Sequence, residues 1–110
     1  MGKTLYDKVF DAHVLRSEGG DHQLFVDLHL VHEATSAPAF GELLERGLGV
    51  IAPARTFATA DHVIPTRVGA AARGIEREMV DALTQNSKES GIRFFSPERK
   101  ENGIVHVIGP

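Results

Sequence analysis

Five runs of alternating type constrain this chain more than any other feature. Strand-prone "QLFVDLHL" is followed by helix-prone "HEATSAPAFGELLERG", strand-prone "RTFATADH", helix-prone "IEREMVDALTQNSKESG" and strand-prone "IRFFS". Strands separated by helices pair in parallel, because parallel neighbours need a crossover element between them. The expected architecture is therefore α/β, a layered domain around a largely parallel sheet. In open sheets of this kind ligands bind beyond the carboxyl ends of the strands, so the polar residues just after each strand are the first place to look for chemistry.

The individual elements follow from spacing and punctuation. "TLYDKVFDAHVL" puts Leu5, Val9 and Ala12 on one helical face with Tyr6, Phe10 and His13 alongside, and Thr4 with Asp7 forms a capping-box pattern. "RSEGGDH" reads as a loop, and in the run after it Leu24, Val26, Leu28 and Leu30 alternate with Phe25, Asp27 and His29 as in one continuous strand. The second helix takes Thr35 or Ser36 as N-cap, Pro38 in its first turn, Phe40, Leu43 and Leu44 on one face, and Gly47 as stop. The third places Ile75, Met79 and Leu83 four residues apart and ends at Gly91. "GIVHVIG" reads as a last short β-prone run after the charged loop "PERKEN". No internal repeat, low-complexity tract or linker divides the 110 residues, so the expected unit is a single domain, residues 1–110.

Composition narrows the function classes. With 42% hydrophobic and 25% charged residues the chain has the profile of a folded globular protein. A net charge of -3 with scattered Lys and Arg offers no basic surface for nucleic acid or an anionic membrane. No apolar run approaches the ~20 residues that cross a bilayer, and "MGKTLYDKVF" lacks the apolar core of a signal peptide, so a cytoplasmic location is the default expectation. The absence of cysteine rules out disulfides, a catalytic thiol and any thiolate-held metal built from this chain alone.

Three strand ends carry candidate site residues. His32 follows the first strand, Asp61 and His62 follow the second, and His106 lies in the last apolar run, so separate elements could bring imidazoles and a carboxylate to one rim. A carboxylate beside an imidazole favours the protonated ring and orients it, which makes a proton donor. Adjacent strand residues point to opposite faces, so Asp61 and His62 can meet only if the strand ends here, as Pro65 suggests. The plainer reading has Asp61 capping a turn and His62 on the surface. His29 and His32 would alternate to opposite sides of a strand and make no preformed metal site, whereas His32 as a single hydrogen-bonding residue fits the strand end. His106, amid Val and Ile, reads on its own as a core or edge-strand histidine satisfied by one hydrogen bond.

Taken together, "KTLYDKVFDAH", "DLHLVHEATSAPAF", "TFATADHVIPT", "NSKESGIRFF" and "GIVHVIGP", in that order, resemble the amino-terminal part of the 3-isopropylmalate dehydratase large-subunit family, a branch of the aconitase superfamily. The resemblance covers Lys3 to Pro110. It implies a three-layer α/β/α domain and a hydro-lyase that interconverts 2-isopropylmalate and 3-isopropylmalate in leucine biosynthesis. It implies that the pair matched by "ATADH", Asp61 and His62, helps protonate a departing hydroxyl, and that His106 of "GIVH" belongs to the network around that oxygen. Within "VHEATS" it marks His32, with Thr35 and Ser36, as substrate-contacting; aconitases carry a glutamine where His32 stands.

The resemblance also implies a 4Fe-4S cluster in the complete enzyme, held by cysteines that this chain lacks, and a swivelling domain that is a separate small subunit in this branch. The chain then reads as a truncated piece, inert and cluster-free by itself, whose partners are the small subunit, the rest of the large subunit and a small-molecule substrate. Two other readings stay open. One is a homoaconitase or methylmalate-type dehydratase with the same motifs, and the other is a non-catalytic assembly module that self-associates through a sheet edge or apolar face.

Overall fold

Thr4 starts the first helix in the computed structural model, which describes residues 2–67 and 70–110. Its side chain accepts from the Asp7 N–H while the Asp7 carboxylate accepts from the Thr4 N–H, the expected capping box, and α1 runs Leu5–His13. The segment expected to be a loop is instead a hairpin: β1 (Val14–Glu18) pairs antiparallel with β2 (Asp21–Leu24). Gly19 and Gly20, at φ 61° and 94°, make a two-residue turn whose positive φ values suit the twist of the strands.

Leu24 to Leu30 do not form one strand. The ladder stops at Leu24 because the next residues are tied to the end of α1: the Phe25 N–H donates to the His13 carbonyl, and Asp27 meets His13 Nε2 at 3.0 Å. Pairing resumes in β3 (His29–His32), leaving Leu24, Phe25, Val26 and Leu28 exposed.

The rest of the chain is the expected α/β alternation. After β3 come α2 (Glu33–Glu45), a short 3-10 turn (Pro53–Arg55), β4 (Thr56–Thr59), α3 (Ile75–Ser90), β5 (Arg93–Phe95) and α4 (Val105–Ile108). The sheet has the order β3-β4-β5 and is parallel throughout. Its two crossovers bring α2 and α3 against one another, as right-handed connections between neighbouring strands require. The central strand is buried on both sides, with Thr56, Ala58 and Thr59 all covered. Ala58, Leu83 and Ile92 form the core, with Val31, Phe40, Val50 and Phe94 packed around them.

Two helix ends follow the glycine rule. Gly47 (φ 64°) closes α2, with Leu48 N–H donating to Leu43 O and Gly47 N–H to Leu44 O. Gly91 (φ 67°) closes α3 with the same pair of bonds, and the residue after it, Ile92, is delivered into the core.

Four further expectations are corrected. The cap of α2 is His32, whose Nδ1 accepts from the Ala34 N–H at 3.3 Å, so Thr35 and Ser36 lie inside the helix and Pro38 in its second turn. Leu44 faces outward, 80% exposed. The inner face of α3 is Val80, Leu83 and Ser87, a spacing of three and four, while Ile75 is 67% exposed. "GIVHVIG" is a helical turn rather than a strand: Val105 gives its N–H to a side chain, and the N–H groups of Val107 and Ile108 return to the Ile104 carbonyl, so no ladder partner is used.

Candidate functional site

Strands β3 and β4 run in register with His32 opposite Thr59, so both end at one level. The residues that leave them, Glu33 on one side and Ala60 to Val63 on the other, are therefore neighbours although about thirty positions apart in sequence. Ala60 is fully buried and the backbone bends at His62 and Val63, just after Asp61. That turn permits what a continuing strand would forbid: the Asp61 Oδ1 and His62 Nδ1 of adjacent residues are hydrogen-bonded.

The second carboxylate oxygen is also used, since Asp61 Oδ2 accepts from the Val105 N–H at 2.9 Å. The Asp61 side chain is 7% exposed while that of His62 is 51% exposed, so the acid is the buried support and the imidazole the accessible end. Burial pushes the Asp61 carboxyl up, but the Val105 N–H, the hydrogen bond to His62 and the charges of His62 and His32 outweigh it, and the group sits below the ordinary carboxylate range.

His32 joins them from the other strand. Its ring lies on that of His62 with centroids 3.9 Å apart and planes 18° from parallel. The bonding partners assign the tautomers. His32 Nδ1 accepts from Ala34, which leaves a proton on Nε2; His62 Nδ1 faces a carboxylate and carries the proton, which leaves Nε2 to give or take one.

Beneath this pair lies Glu33, 1% exposed, whose carboxylate accepts three successive backbone N–H groups: Asp61 on Oε2 at 3.1 Å, and His62 and Val63 on Oε1 at 2.6 Å each. Sequence reasoning passed over Glu33, because an acid in the first turn of a helix ordinarily serves only the helix dipole. Its signal was its place, directly after a strand-end histidine.

The segment before α4 is sewn to the end of β4. Asn102 Nδ2 donates to the Ala60 carbonyl at 3.0 Å, and Thr59 Oγ1 both donates to the Gly103 carbonyl and accepts from its N–H. His106 is thus carried one residue beyond the N–H that holds Asp61, and it is exposed on α4 rather than buried in a strand. Thr35 and Ser36 line, with His32, a different region: a cleft of about 700 Å³ bordered also by Leu30, Phe40 and Arg55. The expected rim therefore brings His32, Asp61 and His62 together, with His106 on the adjoining turn and Thr35 and Ser36 one helical turn away on α2.

His32, Glu33, Asp61 and His62 offer ligand atoms within 4.8 Å of one another. They are not arranged as a metal centre, however. Both Glu33 oxygens and His32 Nδ1 accept backbone N–H groups, and both Asp61 oxygens accept hydrogen bonds as well. The arrangement suits proton transfer.

Comparison with known proteins agrees with the motifs. The model of the aconitase family (aconitate hydratase) matches residues 7–110. The chain is 51% identical, over its whole length, to the 3-isopropylmalate dehydratase large subunit of Thermus thermophilus, covering 24% of that protein. It is 50% identical, again over its whole length, to that of Sorangium cellulosum, covering 24% of it. It is 49% identical to that of Crocosphaera subtropica, with 97% of this chain and 24% of the relative aligned. The chain thus spans about a quarter of the length of the curated relatives it matches. No solved structure matches it.

Proposed function

The chain belongs to the aconitase family, and from that premise we propose that it forms the amino-terminal part of a 3-isopropylmalate dehydratase large subunit, acting in leucine biosynthesis as a hydro-lyase that interconverts 2-isopropylmalate and 3-isopropylmalate. What supports the reading is identity at half of its positions to large subunits that carry that name. The observation that carries the chemistry is the Asp61 oxygen on His62 Nδ1, which leaves Nε2 of a half-exposed ring free to meet a ligand.

Dehydration removes a hydroxyl and a neighbouring proton, and hydroxide leaves poorly unless it is protonated. His62 donates that proton from Nε2; Asp61 holds the tautomer and stabilises the cation; the His32 ring fixes the plane of His62 and presents an Nε2–H to a substrate oxygen. In the hydration direction the same nitrogen receives the proton back. His106 belongs to the network around the departing oxygen, and Thr35 and Ser36 contact substrate. The base that takes the carbon-bound proton comes from the small subunit's swivelling domain.

The 4Fe-4S cluster of the complete enzyme, a Lewis acid toward the hydroxyl, does not fit the donors of this chain. There is no cysteine in it, and the carboxylate oxygens of the site already accept hydrogen bonds. Its ligands belong, in this reading, to the rest of the large subunit, and residues 1–110 alone are inert. A cytoplasmic location goes with this function; among the described residues no helix is long and apolar enough to cross a membrane.

The test is a chimera in which residues 1–110 replace the matching segment of the Thermus thermophilus large subunit, assembled with its small subunit. Turnover of 3-isopropylmalate is expected. A folded, cluster-loaded chimera without turnover refutes the reading, and preference for homoaconitate or a methylmalate moves it to a neighbouring branch.

One observation favours a second reading, a non-catalytic assembly module: Leu24, Phe25, Val26 and Leu28 are exposed in the run leading into edge strand β3. Self-association of the chain in light scattering supports it, and a monomer at high concentration counts against it.

A further inference from the structure

We propose that Glu33 is the positioning residue of the Asp61–His62 pair, a carboxylate at the start of α2 that sets the backbone of the turn on which both side chains stand. The inference deepens the reading of this site as an acid/base centre and rests on it for its catalytic meaning.

Three consecutive N–H groups, those of Asp61, His62 and Val63, converge on one carboxylate. Successive backbone donors aimed inward form a concavity for an anion, and here the anion is supplied by the chain itself. Ordinary strand geometry sends neighbouring N–H groups in opposite directions, so this convergence defines the turn. Only that turn lets the Asp61 carboxylate reach both His62 Nδ1 and the Val105 N–H.

The carboxylate is matched to the task by charge and length. It accepts only, and all three groups facing it donate. In Glu33→Gln an amide NH2 replaces one oxygen and confronts at least one donor. In Glu33→Asp the side chain is one methylene short of the turn. The same dipeptide then holds the site twice, with the His32 ring stacked on His62 and the Glu33 carboxylate under the backbone. The groups facing the pair are Glu33 and His32 from the β3–α2 junction, with His106 on the adjoining turn of α4.

The test uses this chain and carboxyl-selective NMR. In the wild type, the Glu33 carboxyl carbon is expected to show through-bond coupling to the amide nitrogens of His62 and Val63, and this measurement decides alone if a variant fails to fold: absence of coupling overturns the proposal. In folded Glu33→Gln, the Asp61 carboxyl midpoint is expected to rise by about one pH unit as its partners are lost, with shifts of the 61–63 amides; an unmoved midpoint and unmoved amides overturn it. Glu33→Asp is expected to show the same rise.

In the assembled two-subunit enzyme Glu33→Gln is expected to lower kcat by about 100-fold with little change in KM. Should the NMR changes occur while kcat is unaffected, the positioning role stands and the acid chemistry assigned to the pair falls.

Discussion

The imidazole of His62 rests face to face on that of His32, with centroids 3.9 Å apart, although one ring ends strand β3 and the other follows strand β4. The acid of the pair is thereby backed on two sides, by a carboxylate at Nδ1 and by a second ring along its face.

His62→Ala in the assembled two-subunit enzyme should lower kcat by about 10²- to 10⁴-fold, the usual contribution of a positioned acid, and leave the iron and sulfide content unchanged. Steady-state kinetics beside an iron assay checks it. Near-normal turnover would remove His62 from the role.

The chain's stability should depend on Asp61 in acid. The folded carboxyl titrates below its unfolded value, so its contribution is complete above about pH 4 and is lost as the pH falls through the folded value. Urea midpoints measured from pH 6 down to pH 2 should fall more steeply for the wild type than for Asp61→Asn. Parallel curves would mean that the Val105 and His62 contacts are not made.

Thr59→Val keeps the shape of a buried side chain but removes both bonds to Gly103. Leaving those backbone groups unpaired should cost about 1–3 kcal/mol and loosen residues 102–105 from the site. Equilibrium unfolding together with amide exchange of Gly103 and Val105 measures both effects.

On α3, Leu83→Ala should destabilise by about 2–5 kcal/mol, because Leu83 is 1% exposed in the core, whereas Ile75→Ala should change stability by under about 0.5 kcal/mol. Thermal unfolding of the two variants separates the observed inner face from the one a four-residue spacing suggests.

Anaerobic treatment of this chain with iron and sulfide should give no cluster absorption in the visible range, since it holds no thiolate. A stable brown chromophore that survives desalting would contradict the donor argument.

Much of this was legible in the residues. The parallel sheet followed from strands and helices alternating, Gly47 and Gly91 were recognisable as helix stops, and Asp61 beside His62 before Pro65 signalled a strand that turns. What escaped notice depends on contacts distant in sequence. The sequence marks His32 as a hydrogen-bonding candidate at a strand end, but not that it caps α2 and stacks on a ring thirty positions away. Glu33 resembled any acid in a first helical turn until the end of β4 was brought over it. The last run failed for a related reason, because β-branched residues prefer a ladder only where one is offered, and Asp61 takes the N–H of Val105 instead.

The level ending of β3 and β4, with His32 facing Thr59, makes the centre sensitive to single-residue deletions in a way its surroundings are not. Sliding one strand past the other by a residue, about 3.3 Å, turns every side chain to the opposite face and would carry the imidazole of His32 away from its partner. Lengthening the connection through residues 46–55 leaves that alignment alone, so variation in size should be borne there and refused in "HLVH" and "TFAT".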